Sequence, residues 1–133
     1  MLVKRTIAVK AVVTPALKEE MLRDLTDTLG RLELELQQIE FQAKRLLLDA
    51  ERQGLQHVTT TRQQIEKEKE KRLEMRQRVK HKVSEVKDWK QGQEVVQGAV
   101  EGWVKVKQGD DMARVFGAEI ITANGKIVEL RHE

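Results

Sequence analysis

No cysteine occurs among the 133 residues, proline occurs once, and aromatic side chains make up only 3%. Each scarcity excludes something. Without cysteine there is no disulfide framework, no thiolate nucleophile and no cysteine-built metal site, and a reducing compartment is permitted. So few aromatic rings leave little on which bases could stack, so single-strand nucleic-acid binding by stacking is not expected. No apolar run reaches membrane-spanning length. The opening "MLVKRTIAVKAVV" carries Lys4, Arg5 and Lys10 where a secretory signal would need its apolar stretch. The expectation is a cytoplasmic protein with no membrane partner. One proline and 35% charged residues point to long helices rather than to a large globular core.

What is present is segregated along the chain. Residues 1–14 contribute +3, and 15–53 hold six Lys/Arg against nine Asp/Glu. Residues 54–90 hold eleven against six, and the remainder contributes −2, giving the net +3. An acidic segment followed by a basic one of similar length suggests two surfaces that meet.

The stretch "VKRTIAVKAVV" alternates with period two and is rich in β-branched residues, which predicts a strand over 3–13. Thr14-Pro15 then reads as a helix N-cap followed by the first helical position. From Leu22, an apolar seam of Leu25, Leu29, Leu32, Leu36, Ile39, Ala43, Leu46 and Ala50 keeps alternating steps of three and four. Gly54 suits a left-handed helix end. The run Val58-Thr59-Thr60-Thr61 is poor in helix propensity, and Thr60 and Thr61 each precede a Gln by three residues, as in a capping box. A second helix is therefore expected from near Thr60 to about Lys90.

Its thinner apolar stripe can be folded back against the first. That pairs Leu46 with Ile65, Ile39 with Leu73, Leu36 with Met75, Leu32 with Val79, and so on down to Leu22 with Trp89. The expected fold class is α+β. A long antiparallel helical hairpin (a coiled coil) over 15–90, with its tip at 54–60, carries a small SH3-like β-barrel or curled sheet. An alternative is one continuous helix from Pro15 to Lys90 that pairs with a second copy.

Residues 91–133 form the β module. "EVVQGAVEGWVKVK" alternates with glycines interspersed, and Asn124-Gly125 between apolar runs is a type I′ hairpin signal. That hairpin pairs Ala123 with Lys126, Ile121 with Val128 and Glu119 with Leu130. Forty-three residues are few for a self-sufficient core, so residues 1–14 are expected to add their strand.

The order of these features resembles the YlqD-like family of small uncharacterised bacterial proteins. The resemblance rests on "KRTIAVKAVVT" leading into a long charged helix, and on "VKVKQGDDM" followed by "IITANGKIVELR". It covers nearly the full length. It implies no assigned activity and no catalytic residues. Because such genes often accompany ribosome-maturation genes, it also implies ribosome or RNA as a partner to be tested.

No constellation for catalysis stands out. His57, His81 and His132 are far apart in sequence, and the glycines at 92, 98, 102 and 109 do not precede a helix. No cofactor, metal or small-molecule substrate is expected, and Asp110-Asp111 reads as a turn. Two surfaces remain. Arg72, Arg76, Arg78, Lys80 and Lys82 make a cationic ribbon on the second helix, suited to phosphates but equally to Glu33, Glu35 and Glu40 of the first. Leu34, Phe41 and Leu48, seven residues apart, form a second apolar stripe that a two-helix hairpin leaves uncovered. The expected function is a non-enzymatic structural or adaptor protein that self-associates. An RNA- or ribosome-associated factor, working through the basic helix with Lys4, Arg5 and Lys10, is the alternative.

Overall fold

Thr14 caps a helix, as its position before Pro15 demands. Its Oγ1 accepts from the Leu17 N–H at 3.2 Å and donates to Asn124 Oδ1 at 2.8 Å. Around this joint the computed structural model, which describes residues 1–133, runs β1 (Leu2–Val12), α1 (Pro15–Glu51), α2 (Leu55–Asp88) and β2 (Glu94–Lys105). It continues with α3 (Met112–Phe116), β3 (Glu119–Ala123) and β4 (Lys126–Arg131). Two compact units result: Met1–Glu20 with Asp88–Glu133, and Met21–Lys87.

The first unit is a four-stranded mixed sheet in the order β2-β1-β3-β4. The N-terminal strand does join the module, and it lies inside the sheet, antiparallel to β2 and parallel to β3. A closed SH3-like barrel is not what forms: the sheet stays open, with β2 and β4 as its edges. Arg5, Ile7, Val9 and Ala11 share one face, as their alternation requires. Arg5 is buried there (9% exposed). Its guanidinium donates to the main-chain oxygens of Val115, His132 and Glu133 at 2.8, 3.1 and 3.2 Å.

Asn124 and Gly125 both adopt positive φ (50° and 82°), as a type I′ turn needs, and Ala123 pairs with Lys126. Beyond that the expected register fails. A bulge between Ile121 and Thr122 pairs Ile121 with Glu129 and Glu119 with Arg131, leaving Val128 as the extra residue. A second irregularity lies between Val9 and Lys10 of β1, where Gln97 is the extra residue on β2. Asp110 and Asp111 sit in a turn: Asp110 Oδ2 accepts from Lys107 N at 2.9 Å, and Asp111 caps α3. The one-turn helix α3 was not expected from the sequence.

In the second unit the breaker segment is far shorter than its composition suggests. Gly54, at φ 112°, ends the turn, and α2 begins at Leu55. The threonines lie inside the helix, with Thr59 and Thr60 hydroxyls donating back to the Leu55 and Gln56 carbonyls at 3.2 and 3.0 Å. Their β-branched cost is outweighed by propagation of a 34-residue helix, so the capping-box start at Thr60 is corrected. Ion pairs cross from α1 to α2 at Glu40–Lys69 (2.5 Å), Glu35–Arg72 (3.4 Å) and Glu33–Arg76 (2.8 Å). As α1 numbers fall, α2 numbers rise, so the helices run antiparallel rather than as one continuous rod.

Candidate interaction surface

The register between the helices follows from the earlier turn. Leu36 lines a groove with Leu73, and Leu32 lines another with Met75. The expected partners were Met75 for Leu36 and Val79 for Leu32, so α2 has slid by up to about one turn. Leu46 and Ile65 do share a groove. Leu32, Ala43, Ala50 and Ile65 are buried, yet Leu46, Leu73 and Met75 remain 49%, 43% and 41% exposed. Two helices with so thin a second stripe do not close their own seam.

Outside that seam the second stripe of α1 stands in solvent. Leu34, Phe41 and Leu48 are 61%, 76% and 60% exposed. Phe41 separates two depressions. On one side it lines, with Leu36 and Leu73, an open groove of about 520 Å³. On the other it borders a shallower one with Leu34. The first groove is rimmed by Glu33–Arg76 and Glu40–Lys69. The Lys69 ammonium holds the Glu40 carboxyl below the ordinary carboxylate range, first through its hydrogen bond and then through its charge. An apolar floor with a self-paired polar rim favours a hydrophobic occupant over an ionic one.

The cationic ribbon is divided by the same packing. Arg72 is shared between Glu35 of α1 and Glu68 of its own helix, and Arg76 binds Glu33. Lys82 pairs with Glu85 at 3.2 Å. Arg78 and Lys80 are exposed with no carboxylate in reach. The N-terminal cations are likewise engaged. Lys4 meets Glu101 at 2.9 Å, Lys10 meets Glu119 at 2.8 Å, and Arg5 is the buried clamp described above. Sequence reasoning missed that last role; a lone cation on the apolar side of an alternating strand was the available signal.

On the opposite face of the sheet lies a charge cluster that the sequence did not announce. Arg131 of β4 forms a two-pronged pair with Glu94 of β2 at 2.8 and 2.6 Å, and contacts Glu129 at 3.0 Å and Glu119 at 3.5 Å. The two outermost strands are thus latched by a side-chain pair although no backbone bonds close the sheet. Arg131 holds the Glu94 carboxyl below its usual range, chiefly by hydrogen bonding, and Lys10 does the same for Glu119. Every member is paired within the cluster. His57 and His81 lie on α2, His132 beyond β4, and no three His, Asp or Glu side chains are grouped to hold a metal ion.

Trp103 is 69% exposed on β2 opposite Lys4. No helix is long and apolar enough to cross a membrane.

The same fold occurs in the crystal structure of a protein of unknown function from Synechococcus sp. WH 8102. It superposes with a TM-score of 0.85 at 24% identity, covering 98% of this chain and 94% of that one. No curated protein matches. The YlqD protein family model matches residues 1–131, the strand, both long helices and the β-hairpin together, and the chain belongs to that family.

Proposed function

We propose that this chain is a non-enzymatic structural protein that works as a self-associated helical scaffold, with the α1 stripe as its contact. One observation carries the reading: Leu34, Phe41 and Leu48 are large, exposed and aligned on one line of α1. Antiparallel pairing of two α1 helices about Phe41 sets Leu34 against the other copy's Leu48, and Arg31 against its Glu51. Each Phe41 then faces a groove floored by Leu36 and Leu73. A second hairpin completes coiled-coil packing that one hairpin leaves half made. Burying three such side chains per chain is worth roughly 4–8 kcal/mol before the entropy of association.

Sedimentation equilibrium tests this. The unmodified chain is expected to be dimeric at high micromolar concentration, and Leu34→Glu with Phe41→Glu and Leu48→Glu monomeric. A monomeric parent, or a dimer indifferent to those changes, overturns it.

The RNA-binding alternative retains Arg78 and Lys80, while Arg72 and Arg76 are occupied by carboxylates. Salt-sensitive co-sedimentation with ribosomes would be its signature.

A further inference from the structure

The outer edge of β2 is a row of unused backbone groups. Met1 and Val106 exchange hydrogen bonds at 2.9 and 3.3 Å, so Val106 points its N–H and C=O at β1. Alternation then aims Val104, Gly102 and Val100 inward. Lys105, Trp103, Glu101 and Ala99 aim theirs away from the sheet, where no strand lies. The other edge, β4, is guarded differently: six residues long, with Lys126, Glu129 and Arg131. β2 is twelve residues long, and beyond the irregularity at Gln97 its straight portion carries only Glu101 and Lys105 as charges. Between those two stands the exposed Trp103. Lys105 has no carboxylate partner, and Glu101 has only the exposed Lys4.

We propose that the β2 edge pairs antiparallel with the β2 edge of a second copy, about a two-fold axis at Trp103, joining two four-stranded sheets into one. The charge pattern selects the occupant and the register. Centred on Trp103, each Glu101 faces the other copy's Lys105, Trp103 faces Trp103, and the outward groups exchange about six hydrogen bonds. Centred on Glu101, like charges meet. Centred on Gly102, Glu101 faces tryptophan and Lys105 faces Ala99, and the complementarity is lost. Two identical edges satisfy each other here because opposite charges sit at equal distances from one bulky residue, as an isologous contact requires. This surface is independent of the α1 stripe.

The experiment uses the full chain carrying Phe41→Glu, so that any remaining dimer is not made by α1. Sedimentation equilibrium is expected to show a dimer whose dissociation constant rises about tenfold or more with Glu101→Lys or with Lys105→Glu alone. Combining the two restores the reciprocal pairs and should return the constant to within about threefold of the parent. That recovery separates lost complementarity from misfolding. A monomeric Phe41→Glu protein at high micromolar concentration overturns the proposal and leaves the edge to an extended segment of another protein. A dimer indifferent to either single reversal overturns it equally.

Discussion

Arg5 shows how one buried cation organises a sheet. Its guanidinium joins α3 to the residues beyond β4 through three main-chain oxygens, a span that a planar five-donor group can reach and an ammonium cannot. Arg5→Met is expected to lower the stability of the sheet unit by roughly 2–4 kcal/mol, since several acceptors lose a charged donor at once. Denaturant unfolding followed by the combined fluorescence of Trp89 and Trp103 reads this, and Arg5→Lys should recover less than half. Acid acts at Glu94 and Glu119. Their folded-state carboxyls lie below the ordinary value of 4.5, so the stability they contribute is present above pH 4.5 and is lost as pH falls through their lowered values. Arg131→Met should flatten the acid limb of the unfolding midpoint; an unchanged limb would assign acid sensitivity elsewhere. Of these roles only that of Arg5 leaves a mark in the sequence, as a lone cation on the apolar side of an alternating strand. Composition places Arg5 among the N-terminal cations, and only the strand's position inside the sheet turns it into a clamp.

Among the elements, strand and helix types were readable where periodicity ran long. Val3 to Val13 alternates, Leu22 to Ala50 keeps a helical seam, and Asn124-Gly125 makes its turn. Registers were not readable, because each depends on a single residue. The threonines at 59–61 looked like a boundary by propensity, but a helix already nucleated at Leu55 carries through them, and the early turn slides α2 along α1. In the sheet, each of the two irregularities reverses the face of every residue beyond it. Without Gln97 as the extra residue, Glu94 would fall opposite Val13 rather than Val12; without Val128, Glu119 would face Leu130 rather than Arg131. Both are needed to bring Glu94 and Arg131 to one face. Deleting Gln97 removes only the unpaired residue and leaves Glu94 opposite Val12, so the acid-unfolding curve of that variant should keep the limb that Glu94→Gln loses.

At the scale of the whole molecule, the two long helices are an insertion between two neighbouring strands of one sheet. Val13 and Gln93 are hydrogen-bonded at 2.7 Å, and Gly92 returns a bond to Val13 at 2.9 Å, so the chain leaves and re-enters the sheet at the same place. The self-association proposed for α1 would make stability depend on concentration. The helical unfolding midpoint should rise as protein concentration increases, and Phe41→Glu should abolish the dependence; calorimetry over a hundredfold concentration range reads both.

The position of β1 also sets an order of events during synthesis. Ala8 pairs with Ala99 on one side and with Glu119 on the other, so the strand is made some ninety to more than a hundred residues before its partners. At about 5–20 residues per second, it emerges roughly 5–20 s before either neighbour exists. Both helices can form in that interval from contacts local to them, while the apolar, β-branched first strand stays open. Until translation passes β3, the segment most in need of shielding on a nascent chain is the one that ends up between two strands of the finished sheet.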